Sequence, residues 1–225
     1  MIPVMIPGKE GGSENMAVEQ EMADIYPPDA DDLAEYLSFM DCNECGFSKC
    51  SDFAEALVKN GADPHACPEL DAEFADVLTS VLALDKNPIP YNVMMEQVDC
   101  NVIEINQPDN KSPILVTCNF QETVRIMKEI MEKTSTKSFL LPTFTHGYSV
   151  DNAVHEKMFK AMEVFKAIKE NGMEEKVERP VIVIPGLAEP EKNSIRQLTK
   201  CEVVVGPVSG FLLPLFLLEN RDLFS

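Results

Sequence analysis

The sequence predicts an α/β protein in two parts: a small helical module, then a three-layer, Rossmann-like α/β domain with a mainly parallel sheet. Three observations predict it. Beyond about residue 85, short runs of β-branched residues alternate with helical patterns. Before that point the apolar spacing is helical, and four of the seven cysteines crowd between residues 42 and 67. Between the two parts lies Asp85-Lys86-Asn87-Pro88-Ile89-Pro90, a linker punctuated by two prolines. The boundaries therefore read as a flexible acidic arm over 1–28, a cysteine module over 29–84 and the α/β domain over 85–225.

In the module, Asp29–Met40 reads as a helix leading into the cysteine loop, and Ser51–Lys59 as a second, stopped by Asn60-Gly61. A third, from Glu69 to about Leu84, carries Leu70, Phe74, Val77, Leu78, Val81 and Leu82 on one face. In the domain, Pro113–Thr117, Lys137–Leu141, Pro180–Ile184 and Cys201–Val205 are continuous apolar strands, the kind buried on both faces of a parallel sheet. Asp99–Ile105 adds a further strand. Helices are expected over Gln121–Lys133, along the amphipathic segment Asp151–Asn171 ending at Gly172, near Asn193–Lys200, and at the C-terminus. Ligands of such sheets bind beyond the carboxyl ends of the strands, near a topological switch point. Those ends read Thr117–Phe120, Thr143–Tyr148, Pro185–Ala188 and Gly206–Gly210. They suit close approach to a flat ligand and, equally, ordinary strand-to-helix turns.

The cysteines Cys42, Cys45, Cys50 and Cys67 are spaced C-x2-C-x4-C-x16-C. Iron–sulfur clusters are held by four such thiolates. Gly46 after the second cysteine suits a tight anion-binding loop. Cys50 opens a helix, where the dipole favours a thiolate and an anionic cluster. Structural zinc also accepts four thiolates, although its sites usually pair two C-x2-C knuckles. A disulfide pair is the third chemistry open to these residues. Cys100, Cys118 and Cys201 lie in or beside expected strands and read as inert buried thiols.

Cys42-x2-Cys45-Gly46-x3-Cys50-x2-Phe53-Ala54-x-Ala56-Leu57, closing with Cys67-Pro68, resembles the N-terminal cluster domain of the corrinoid iron–sulfur protein large (gamma) subunit, of the acetyl-CoA synthase/CO dehydrogenase pathway. The same module is found in the B subunit of membrane-bound ferredoxin oxidoreductases. The resemblance implies one low-potential [4Fe–4S] cluster on Cys42, Cys45, Cys50 and Cys67. A looser similarity covers 113–208, where Pro113–Thr123, Val181–Leu187 and Cys201–Val208 look like strands and turns of that subunit's C-terminal corrinoid-binding domain. It implies a corrinoid (cobamide) facing Thr143, Thr145, His146, Gly147 and Tyr148, with Gly186 and Gly206 at the rim. Two departures stand out. The family's TIM barrel between the end domains is replaced here by a short linker. Its Gly/Ala-rich loop after the second strand is the bulkier Leu141-Pro-Thr-Phe-Thr-His-Gly-Tyr-Ser-Val-Asp151. His146 is a candidate axial metal ligand, His65 a candidate hydrogen-bond donor near the cluster, and His155 a solvent-facing helical residue.

The formal charge is −19, and residues 1–80 hold 18 acidic against 3 basic side chains. Such acidity argues against nucleic acid, whose affinity comes from neutralised phosphates; it suits a basic redox partner and, equally, simple solubility. The longest apolar run, Phe211–Leu218, is too short to span a bilayer, and reads as a buried terminal helix or a docking surface. No signal-peptide pattern is read, so a cytoplasmic, reducing and anaerobic setting is expected. No Gly-rich nucleotide loop, Ser/His/Asp order or H-E-x-x-H helix occurs. The expected function is low-potential electron transfer tied to one-carbon and corrinoid metabolism, rather than self-contained catalysis. The alternative is a non-catalytic assembly or docking subunit with a structural cluster.

Overall fold

Asp29 begins the first helix by closing a reciprocal cap. Its Oδ1 accepts the Asp32 N–H at 2.9 Å while Asp32 Oδ2 accepts the Asp29 N–H at 3.0 Å, which satisfies two otherwise orphaned donors. The computed structural model describes residues 22–23, 25–37, 40–87, 89–90 and 96–224. Most of the arm expected over 1–28 lies outside them. Its described end is placed: β1 (Met22–Ala23) pairs antiparallel with β2 (Ile89–Pro90), Ile25 packs against the α/β core, and Pro28 is buried.

The module's helices are α1 (Ala30–Ala34), α2 (Cys50–Val58) and α3 (Ala72–Leu82). α1 is shorter than the expected Asp29–Met40. The chain tightens into i→i+3 turns at Tyr36 and Leu37, so that Leu37 enters the core and the Tyr36 ring meets Phe74 at 6.1 Å. Asp71 caps α3 by accepting the Phe74 N–H at 2.8 Å. Leu33, Leu37, Phe53, Leu57 and Leu78 form the module's core, and Leu212 and Leu215 from the far end of the chain complete it.

The domain is built on β3 (Ile103–Ile105), β4 (Ile114–Cys118), β5 (Ser138–Thr143), β6 (Val181–Ile184) and β7 (Glu202–Val205), in spatial order β3-β5-β4-β6-β7. β5-β4-β6-β7 are parallel, and β3 adds an antiparallel edge. Every residue of β4, β5 and β6 is buried, as expected where helices cover both faces. Alternate side chains go to opposite layers. Ile114, Val116, Ile182 and Ile184 pack on one face with α5 (Val150–His155), α6 (Ala161–Glu170), α7 (Met173–Lys176) and α8 (Lys192–Thr199). Leu115, Leu140 and Val183 pack on the other with α4 (Gln121–Lys133) and α9 (Leu213–Glu219).

α4 matches its expected bounds. Val124, Ile130 and Met131 face inward, while Arg125–Glu122, Arg125–Glu129 and Lys133–Glu129 pair outside, contributing about 0.2–0.5 kcal/mol each. The segment expected to run unbroken over Asp151–Asn171 divides into α5 and α6. Lys157 takes the left-handed conformation at φ 56°, the Met158 N–H returns to Ala153 O at 2.7 Å, and Phe159 drops into the core. This is the closure that ends helices when a buried residue follows. Among the described residues no helix is long and apolar enough to cross a membrane.

Candidate functional site

The four module cysteines sit on three pieces of backbone. Cys42 and Cys45 lie in the loop before α2, Cys50 is the first residue of α2, and Cys67 follows the one-turn helix Pro64–Ala66. Three of the six residues 41–46 have positive φ: Asp41 at 46°, Asn43 at 60° and Gly46 at 87°. Such left-handed turns expose successive N–H groups and form anion-binding concavities. Asn43 O accepts the Gly46 N–H at 3.3 Å. Lys49 provides no side-chain cap to α2; Asp41 Oδ1 takes that place by accepting the Cys50 N–H at 2.8 Å. Behind the loop the Phe47 and Phe53 rings meet at 5.5 Å.

Cys67 is 6% exposed within the module's core, and Cys45 and Cys50 pack against its edge. All seven cysteines are free thiols. Among the described residues no three His, Cys, Asp or Glu side chains close around a single metal position. The candidate donor set is all sulfur, with Cys67 buried and Cys42, Cys45 and Cys50 partly exposed. These residues fit an iron–sulfur cluster.

His65, two residues from Cys67, turns both ring nitrogens to carboxylates: Nδ1 lies 3.1 Å from Asp63 Oδ1 and Nε2 2.9 Å from Asp76 Oδ1. These hydrogen bonds raise its pKa, Asp63 contributing more than Asp76. It ties the fourth-cysteine turn to α3 and gives no bond to a thiol.

In the domain, β4 leads to β5 on one side, and β6 and β7 lie on the other, so strand order reverses between β4 and β6. A cavity of about 130 Å³ lies there. Phe120, Met127, Phe211, Leu213, Ile25 and Tyr26 form its apolar wall, and Thr117, Ser149 and Asp151 its polar contribution. It is smaller than the roughly 300–1,000 Å³ of drug-sized ligand pockets.

The expected ligand residues distribute unevenly about this cavity. Gly206 lines it. Gly186 is required for another reason. A Cβ there would lie 2.8 Å from Val208 N and 3.0 Å from Gly206 O, so its close approach is to the chain's own backbone. Thr143 is buried and donates to Thr117 O at 3.0 Å. Thr145 and Gly147 are buried around Asn119, whose Oδ1 accepts both of their N–H groups, at 3.0 and 3.1 Å. Tyr148 packs half-buried against the α5–α8 layer. His146, at φ 59°, stands exposed with its ring 4.4 Å from that of Phe144, which is 40% exposed. Met127 and Tyr26 were not among the expected residues, and Asn119 lay in the expected strand end Thr117–Phe120 without being singled out. Asn119 alone carried a signal, as a polar residue directly after a buried strand.

The family profile described as CO dehydrogenase/acetyl-CoA synthase delta subunit matches residues 86–211, more than half of the chain. The chain belongs to that family. A second profile, described as "Putative Fe-S cluster", matches residues 40–69 and so contains all four module cysteines. Among similar proteins, the acetyl-CoA decarbonylase/synthase complex subunit gamma of Methanopyrus kandleri is 34% identical over 122 residues, 54% of this chain and 26% of that one. The corrinoid/iron-sulfur protein large subunit of Moorella thermoacetica is 34% identical over 111 residues, 49% of this chain and 25% of that one. The corresponding gamma subunit of Methanocaldococcus jannaschii is 28% identical over 170 residues, 76% of this chain and 33% of that one. The chain thus spans a third or less of these relatives.

Proposed function

We propose that Cys42, Cys45, Cys50 and Cys67 hold one [4Fe–4S] cluster, and that the chain is an iron–sulfur subunit passing single electrons at low potential in corrinoid-linked one-carbon metabolism. The observation that carries this reading is the all-sulfur donor set on a loop of left-handed turns, inside the segment matching the Fe–S family. The cluster would supply reversible one-electron chemistry. Cys67 would anchor it in the core, while Cys42, Cys45 and Cys50 would hold its outer edge toward solvent. The acidic excess of residues 1–80 would steer a basic partner face, with salt-dependent association. That partner is a redox protein or a larger enzyme complex, such as the one in the relatives' names.

For residues 85–225 the proposal is a corrinoid at the strand-end loops, with His146 and Phe144 presented outward and Gly206 at the rim. Thr143, Thr145 and Gly147 would shape the loop from behind. One observation favours a second reading. The cavity at the switch point holds about 130 Å³, far less than a corrin ring occupies, so the domain would serve as a docking platform around a structural cluster.

Anaerobic purification with iron, sulfide and zinc analysis, followed by absorption spectra before and after dithionite, tests both. Four iron and four sulfide per chain with a reducible chromophore are expected, and a separate corrinoid band would select the first reading. Zinc in place of iron would overturn the assignment. Cys45→Ser should remove most of the iron, because metal binding and folding are coupled in so small a module.

A further inference from the structure

We propose that Asp41 is a positioning residue that holds the cluster's reduction potential down. The inference rests on the cluster assignment above and assigns a role to a residue outside the four ligands. Asp41 directly precedes Cys42 and adopts a left-handed backbone at φ 46°, a conformation open to Asp at modest cost. From there its Oδ1 reaches across nine residues to accept the Cys50 N–H at 2.8 Å. One side chain therefore fixes the loop carrying Cys42 to the residue that starts α2.

Two electrostatic consequences follow from that placement. Cluster potentials depend on net charge, on hydrogen bonds to the sulfurs and on exposure to solvent. The Cys50 amide belongs to a ligand residue itself, and here it points to a carboxylate and is withheld from the cluster. The carboxylate also places a full negative charge beside two ligands. Adding an electron to an already anionic centre is harder next to that charge. Glu44 and Asp52 add acidity in the same stretch and Lys49 opposes it, all of them exposed. Asp41 alone among these four has a hydrogen bond to a ligand's amide.

The test is a redox titration of anaerobically purified protein carrying its cluster, followed by electron paramagnetic resonance of the reduced form. Asp41→Asn keeps an acceptor for the Cys50 amide and removes the charge. Its ratio of reduced to oxidised cluster at a fixed ambient potential should rise roughly tenfold, which is 59 mV for one electron. Because Asp41 is exposed, that shift should shrink in high salt. Asp52→Asn removes an equal charge from the first turn of α2 without touching the Cys50 amide, and should shift the ratio less. Full iron content with an unchanged Asp41→Asn potential would overturn the role of Asp41 and leave the cluster assignment standing. Wild-type protein without four iron per chain would sink the cluster assignment itself. A shift equal to that of Asp52→Asn would reduce Asp41 to one acidic residue among several, and would also overturn the proposal.

Discussion

Asn119 and Thr145 hold each other three times. The Asn119 N–H donates to the Thr145 hydroxyl at 3.3 Å, while Asn119 Oδ1 accepts the Thr145 N–H at 3.0 Å and lies 3.0 Å from that hydroxyl. The same oxygen accepts the Gly147 N–H at 3.1 Å, and the Asn119 amide reaches back to Gln97 Oε1 and Val98 O. One side chain, 2% exposed, thus joins β4, the loop after β5 and the approach to β3.

Asn119→Ala should therefore leave two buried N–H groups without partners. Each costs about 1–3 kcal/mol, so a loss of roughly 2–6 kcal/mol is expected. At about 2–4 °C per kcal/mol for a chain this size, thermal unfolding should fall by roughly 4–24 °C. A shift below about 2 °C would show that the loop is held in some other way.

Leu215 is fully buried in the module's core although it belongs to α9. Leu215→Ala should cost about 2–5 kcal/mol, as buried Leu→Ala changes do. Because Cys67 lies in the same core, the variant should also release iron to a chelator faster than wild type. Lowered stability with unchanged iron release would separate α9 from the cysteine module.

Gly186→Ala forces a Cβ against backbone atoms that cannot rotate away, and should lower stability by about 1–3 kcal/mol. Gly206→Ala meets chiefly the Val183 Cγ1 at 3.1 Å, a methyl that can yield, and should cost less. Urea midpoints of the two variants check the order. Equal midpoints would contradict the rigid contact between the turns after β6 and β7.

Burial pushes the Cys118 thiol up, and pushes Cys100 up with help from the Glu170 and Asp99 carboxylates. A thiol raised above its ordinary value has less thiolate at any given pH, and the thiolate is the nucleophile. Alkylation of the folded protein at mildly alkaline pH should leave Cys118 unmodified and reach Cys100 slowly. Mass spectrometry showing Cys118 labelled as fast as Cys100 would contradict its burial.

Much of this architecture was legible because local signals and tertiary demands agreed. α4 could be bounded from its apolar spacing, and the buried strands from their β-branched runs. The break between α5 and α6 was not legible. No Gly or Pro marks it, the amphipathic period runs through it, and Lys157 adopts a left-handed turn only because Phe159 gains a buried site. The cysteine spacing lies in one short stretch, and that stretch is what the Fe–S family profile matches. The bond from Asp41 depends on how the loop folds back over nine residues. The wall of the switch-point cavity depends on Ile25, Tyr26, Met127 and Phe211, which lie far apart in the chain and meet only through packing. For the C-terminal apolar run, burial was one of two expectations, and the structure shows it. Its division between two cores follows from neither composition nor period.

That division limits how the molecule can work. Phe211 and Leu213 wall the switch-point cavity while Leu212 and Leu215 fill the cysteine module, and Arg221 pairs with Asp71 and Glu73 at the start of α3. A carrier arm that swings a redox centre between donor and acceptor needs a slack hinge, and here the described C-terminal run is a keel shared by both cores. An electron on the proposed cluster would depart from one fixed place relative to the strand ends. Any partner would have to come to it.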